Sequence, residues 1–446
     1  MTFFRVLTVL ALLAAIGLTG AKVSALWTQQ EMTAPAFIPT VPAPPAVADA
    51  VVKQPPADPV LERLNQRLTD NPNDFEANLL KGLLLFQDGE LSEAIAVLED
   101  LTARAPKFQL AHLILGDLLS ARYGLVTPFA ADAINGVGEH HQQVAQLKNE
   151  ARARLEGYLS ALDQATVPAV LLTLGESIGH ALVVDKSRHR LYVFRNAGTG
   201  LPPKLIDDFY IVLGKVPGDK RREGDLKTPD GVYFVTSYLP DEKLPPLYGQ
   251  GAFPVNYPNE YDRRLHKTGQ GIWLHGTDKS LYSRPPLDSE GCVVLTNEEF
   301  ARIATYVEVG RTPVVISEQV QWLSTREWLD RNIEIQAALE SWRQSWEKAD
   351  LQSYLDFYSA DFWSSGYDEQ SWGEYKKRVF AGKTFQKVGL ADIALFEYPR
   401  SAQQPPMVVA NFEQRYRSNN FNGDMRKRLY LVKESQRWKI LYEGGQ

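Results

Sequence analysis

The chain holds a single cysteine, Cys292, in the run Leu287-Asp-Ser-Glu-Gly-Cys-Val-Val-Leu295. A histidine, His275, lies 17 positions upstream in Trp273-Leu-His-Gly-Thr277. One cysteine cannot close an internal disulfide, so the thiol is either a small apolar filler or a reactive group. A nucleophilic thiol needs thiolate character, a proton acceptor and a pocket that stabilises an anion. An unperturbed thiol of pKa about 8.5 is only about 3% ionised at pH 7, and a pKa lowered to about 7 makes about half of it thiolate. His275 is the expected source of that shift. Gly276 follows it, so the chain can turn and present the imidazole to a cleft. Gly291 takes a side chain away just before Cys292, which lets backbone amides approach a carbonyl and form an oxyanion hole. Ser289 is placed to hydrogen-bond across the same turn.

The surrounding pattern supplies the elements that must hold these groups. His180-Ala-Leu-Val-Val-Asp185 and Arg190-Leu-Tyr-Val-Phe194 are β-branched and aromatic runs around Lys186-Ser-Arg-His189, and they predict a hairpin. Residues 209–213, 231–237, 272–275, 292–295 and 311–317 predict further strands. Thr296-Asn-Glu-Glu299 has the spacing of a capping box and opens a helix that runs to Val307. The stretch 248–261 reads either as a lid over the cleft or as a long packed loop.

In combination, His275-Gly-Thr277 and Ser289-x-Gly-Cys292 resemble the signature of the YkuD-type L,D-transpeptidases. Lys227-Thr-Pro-Asp-Gly-Val-Tyr233 is similar to that family's Thr-Pro-x-Gly-x-Tyr/Phe segment. The resemblance covers about 140 residues. It implies that Cys292 is the acyl-accepting nucleophile and His275 its base, with Ser289 and Gly291 in the catalytic turn and Gly276 and Thr277 beside the substrate. The implied substrate is a peptidoglycan stem tetrapeptide, cut before its terminal D-alanine. Two positions depart from the common pattern: Glu290 stands where many members have His, and Val294 where many have Arg or Asn. A cation for the substrate carboxylate must then come from elsewhere, and Arg284 in Tyr282-Ser-Arg-Pro-Pro286 is the candidate, because its planar fork suits carboxylates. The other reading of Arg284 is a solvated loop arginine.

The whole chain reads as a multidomain α and α+β protein. Its 446 residues allow about three domains. Residues 1–25 resemble a signal peptide or membrane anchor, with Arg5 before an apolar run and Val23-Ser-Ala25 like a cleavage site. Residues 26–59 form a proline-rich linker. Residues 60–170 are expected to be helical, with small and apolar residues recurring at a shift of 34 (Pro72 and Pro106, Ala77 and Ala111, Gly82 and Gly116), which resembles tetratricopeptide repeats. Residues 175–318 form the mostly-β catalytic domain. Residues 325–446 resemble a cone-shaped SnoaL or nuclear-transport-factor-like domain: a Trp-rich helix, with Trp342 and Trp346 on one face, followed by strands. This pairing of domains resembles the L,D-carboxypeptidases that shape helical cells.

The net charge of -6 and the lack of a long basic run argue against general nucleic-acid binding. No His-Glu-x-x-His or paired-cysteine motif is present, so no metal or other cofactor is expected. The expected location is the periplasm or cell envelope, and protein partners are expected to dock on the helical repeats. Transfer of the acyl group to an amine, its hydrolysis by water, and release of proteins from peptidoglycan by the same thioester chemistry all stay open from the residues alone. So does a non-catalytic scaffold.

Overall fold

A computed structural model of the chain describes residues 59–123, 139–160, 166–400 and 404–446. The expected signal segment, and the proline-rich linker up to residue 58, lie outside the described residues. Pro59 itself opens the first helix, where its missing N–H costs nothing.

Chain contacts divide the protein into two units, residues 1–159 and 160–446. The first contains helices α1 (Pro59–Asp70), α2 (Phe75–Gln87), α3 (Leu91–Arg104), α4 (Gln109–Arg122) and most of α5 (Glu139–Ser160). Helices α2 and α4 begin 34 positions apart, each three residues after a proline, and Ala77, Leu80, Ala111 and Ile114 on them are buried. Inside this unit Arg154 is fully buried and holds two carboxylates, Glu76 at 3.1 Å and Glu150 at 3.0 Å. Its guanidinium also lies 5.4 Å from the Phe108 ring centroid.

The second unit begins with β1 (Thr166–Pro168). The expected hairpin forms as β2 (His180–Asp185) and β3 (Arg190–Arg195), and β4 is Lys204–Tyr210. The predicted strand 209–213 is instead divided, because the chain leaves one sheet and enters another. Here β4 ends at Tyr210, and β5 (Leu213–Gly214) pairs in parallel with a later strand. Next come β6 (Gly231–Phe234), β7 (Leu239–Pro240), β8 (Gly251–Pro254), helix α6 (Glu260–Arg264), β9 (Trp273–His275), β10 (Leu287–Ser289) and β11 (Val293–Val294). Helix α7 (Asn297–Ala304) carries the expected capping box, with Thr296 as its N-cap and Glu299 reaching back. Strands β12 (Pro313–Ser317) and β13 (Trp322–Ser324) complete this part.

Two sheets face each other here, in the orders β4-β3-β2-β12-β6 and β11-β9-β8-β7. Leu182, Val184, Leu191 and Ile316 from the first meet Phe253, Leu274 and Val293 from the second, with Phe300 of α7. The alternate residues Ala181, Val183, Tyr192, Phe194 and Val315 point the other way. They pack on Ala394, Phe396, Met407 and Val409 of the C-terminal region. The central sheet is therefore buried on both faces, which explains why residues 181–184 form a continuous apolar run rather than an alternating one.

The C-terminal region opens on helix α8 (Thr325–Glu347), capped by Ser324 with Glu327. After α9 (Leu351–Leu355), β14 (Tyr358–Ser364), β15 (Tyr367–Asp368) and α10 (Glu369–Ala381), four long antiparallel strands follow: β16 (Gln386–Glu397), β17 (Met407–Ser418), β18 (Asn422–Glu434) and β19 (Arg437–Gly445). Trp342 and Trp346 share a face of α8 as expected, with ring centroids 5.4 Å apart, and both enter the core inside the curved sheet. The sheet also grips the segment after β8. Arg428 bonds Glu260 at 2.9 Å, and Tyr261 packs against Tyr398 and Tyr430.

Among the described residues, no helix is long and apolar enough to cross a membrane. The buried Arg154 cluster sets a stability test. Arg154→Ala takes away the cation that Glu76 and Glu150 share, and leaves Glu76 the more distant Arg67 at 3.9 Å, so it should cost about 3–5 kcal/mol. This will appear as a lower urea midpoint for the helical unit, followed by circular dichroism.

Candidate active site

The short pairing of β9 with β11 builds the site. The strands are parallel, with Val293 opposite Leu274 and Val294 opposite His275. One step back, the same register sets Cys292 opposite Trp273. Side chains alternate along a strand, so Cys292, Trp273 and His275 share one face. Leu295 N–H donates to His275 O at 2.9 Å and locks the register beyond β11.

The turn into Cys292 is held from inside. Ser289 is 4% exposed. Its hydroxyl donates to Cys292 O at 2.7 Å and accepts from Gly291 N–H at 3.1 Å. Gly291 has φ +126°, and a Cβ there would meet Lys227 O at 2.7 Å, so only glycine fits. This alters the expected oxyanion pocket: the Gly291 amide is already used inside the turn, and the Cys292 amide is the remaining candidate donor.

His275 is 3% exposed, and its Nδ1 lies 2.6 Å from Gly276 O. A carbonyl only accepts, so Nδ1 carries the proton of the neutral ring and Nε2 is the bare, basic nitrogen. The Tyr248 ring covers the imidazole edge-on at 4.9 Å and also packs on Trp273 at 5.0 Å. Burial pulls the His275 pKa down to about 4, against the pull of the Gly276 carbonyl, and the Arg284 charge adds to the fall.

Cys292 keeps some surface open, while the protein crowds it on most sides. Its Sγ donates to Gly271 O at 3.4 Å rather than to His275. Burial pushes the thiol up to about 11 and Glu290 adds to this, while the Trp273 amide, Arg284 and Lys220 act against it. The sequence led to the expectation of a thiol lowered to about 7. The resting site reverses that shift, because desolvation of the anion outweighs the cations nearby. Thiol and imidazole are thus both neutral in the resting site, with Nε2 the unprotonated ring nitrogen.

The Arg284 charge acts on both groups, but Asp288 holds its side chain. Nε bonds Asp288 Oδ2 at 2.9 Å, and Nη2 donates to the Asp288 carbonyl. Gly276 and Thr277, expected to touch substrate, are both buried behind His275, with Thr277 1% exposed. Val294 is a core residue bridged to Val212, whereas Glu290 is exposed at the mouth of the site. Tyr248 and Trp273 line the site without having been singled out from sequence. For Tyr248 the signal was its place at the head of the lid-like stretch 248–261. Trp273 alternates with His275 on the same strand. A separate cleft of about 690 Å³, bordered by Asp219, Asp230, Tyr398 and Arg400, includes neither Cys292 nor His275.

Among the described residues, no group of three or more His, Cys, Asp or Glu side chains is arranged to hold a metal. A thiol pushed up to about 11 by burial sets an expected pH response for the free protein. Alkylation of Cys292 by iodoacetamide should be slow at pH 7 and rise about tenfold per pH unit up to about pH 10. Mass spectrometry of the Cys292 peptide checks this, and a rate that levels off below pH 8 would show a preformed thiolate instead.

Comparisons with known proteins agree with this architecture. A model of the L,D-transpeptidase catalytic domain, YkuD, matches residues 179–316, and one of the Cds6 C-terminal NTF2-like domain matches residues 334–444. "Putative L,D-transpeptidase YafK" of Escherichia coli (strain K12) is 30% identical over 92 residues, which are 20% of this chain and 32% of that protein. The match thus spans about a third of that relative's length. The structure of Bd1075 from Bdellovibrio bacteriovorus superposes with a TM-score of 0.56 at 32% identity, covering 63% of this chain and 98% of that one. The helical cell shape determining protein Pgp2 from Campylobacter jejuni superposes with a TM-score of 0.53 at 26% identity, covering 62% and 95%. The chain therefore belongs to the YkuD L,D-transpeptidase family, in the branch that joins this catalytic domain to a C-terminal NTF2-like domain.

Proposed function

We propose that the protein is an exported cysteine acyl transferase or hydrolase that acts on peptidoglycan stem tetrapeptides through a thioester on Cys292. The observation that carries the reading is the shared face of Cys292 and His275, with the imidazole proton fixed on Nδ1.

In this reading His275 Nε2 takes the Sγ proton as sulfur attacks the carbonyl carbon before the terminal D-alanine. The two groups start neutral, so attack and proton transfer proceed together rather than from a stored ion pair. The Cys292 amide faces the developing oxyanion. The C–N bond then breaks, the imidazolium gives its proton to the D-alanine nitrogen, and a thioester remains. Water or an amine attacks the thioester, His275 accepts the attacker's proton, and the thiol is regenerated. Ser289 and Gly291 hold the turn that aims Cys292. Arg284, already bonded to Asp288, acts chiefly through its charge.

The family supports the substrate class. The C-terminal NTF2-like domain, and likeness to Pgp2, named a helical cell shape determining protein, lean the reading towards trimming by analogy alone. Export rests on Arg5 and the apolar run that follows it. The helices from Pro59 to Arg122, with their 34-residue offset, are read as a tetratricopeptide-like surface for protein partners. No cofactor enters any step.

Product analysis tests the proposal. The full chain, incubated with disaccharide tetrapeptide, should release D-alanine and leave tripeptide or a cross-linked dimer. Cys292→Ala should lose at least ~10³-fold in rate. Release of attached proteins from intact sacculi would favour the amidase reading. Unchanged turnover by Cys292→Ala would overturn the mechanism, and no turnover by the wild type would favour a scaffold.

A further inference from the structure

The first residue of α7 reaches back to the histidine. Asn297 is 9% exposed, and its side-chain amide joins two loops. Its Nδ2 donates to Thr277 O at 2.9 Å, just after His275, and its Oδ1 accepts from Gln250 N–H at 3.0 Å, just after Tyr248. Both loops carry a glycine where they pass the amide. A Cβ on either Gly249 or Gly276 would collide with Asn297 Oδ1. Gly249 also has φ +64°. The two glycines thus leave the room that lets one amide bond both chains.

The consequence falls on the imidazole. Gly276 O is the acceptor that keeps the proton on Nδ1, and Gly276 N–H in turn donates to Gly251 O at 3.4 Å. Tyr248 closes the other side of the ring. A capping box needs only Thr296 and Glu299, so the helix does not require asparagine at position 297. We infer that Asn297 is a positioning residue, which clamps the Gly276–Thr277 peptide against the Tyr248–Gln250 loop and so holds His275 with Nε2 bare beneath the Tyr248 ring. This inference rests on the reading of His275 as the base.

The test uses the full chain with Asn297→Ala, which loses both bonds, and Asn297→Asp, which keeps the acceptor, loses the donor and suits the first turn of a helix. Two readouts apply: kcat and KM on disaccharide tetrapeptide, and the imidazole tautomer from ¹⁵N chemical shifts. Asn297→Ala should lower kcat roughly 10- to 100-fold with little change in KM, because a misplaced base loses rate rather than affinity. The Nε2–H tautomer should become populated, with Asn297→Asp intermediate on both measures. Unchanged tautomer and kcat in both variants, or a loss no greater than the fall in folded fraction, would overturn the inference. Full turnover by His275→Ala would instead overturn the base assignment, whatever Asn297 does.

Discussion

Two residues of parallel strand pairing carry the site. Val293 and Val294 of β11 lie beside Leu274 and His275 of β9, and this register alone brings together groups 17 positions apart. A slip of one residue would turn Cys292 to the opposite face of the sheet. The pairing is short, so its neighbours must fix it. Leu274 and Val293 are fully buried in the core between the sheets. Val212 bridges Val294, Leu295 bonds back to His275 O, and Gly291 lets the turn come against Lys227. Helix α7 begins immediately after β11, so its first residue falls beside the histidine turn.

This arrangement favours a dry site over a charged one. Tyr248 and Trp273 enclose the imidazole, and burial keeps both reacting groups neutral. Linkage gives the same burial an effect on stability. The folded pKa of His275 lies near 4, below its ordinary value of 6.5, so its contribution is present above pH 6.5 and is lost as pH falls towards 4.

Much of this was legible in the sequence, and the gaps have physical causes. Cys292, His275, the serine that braces the turn and the capping box at Thr296 all stand in short local patterns, where spacing determines geometry. The hairpin around residues 186–189 and the shared face of Trp342 and Trp346 were legible for the same reason. The pKa of Cys292 was not, because it depends on how much protein crowds the sulfur. Nor was the grip of Asp288 on Arg284, or the clamp made by Asn297, since each depends on where loops distant in sequence come to rest. The run 181–184 pointed to a strand of a hairpin, not to burial of the central sheet on both faces. Its second partner, the C-terminal sheet, lies more than 200 positions away.

The central claim is that an acyl group rests on Cys292. Acid-quenching the full chain during turnover of disaccharide tetrapeptide, followed by peptide mass mapping, tests it directly. The account predicts an adduct on the Cys292 peptide equal to the substrate less D-alanine, present in the wild type and absent in Cys292→Ala. Release of D-alanine with no adduct at any quench time, or an adduct on another residue, would contradict it.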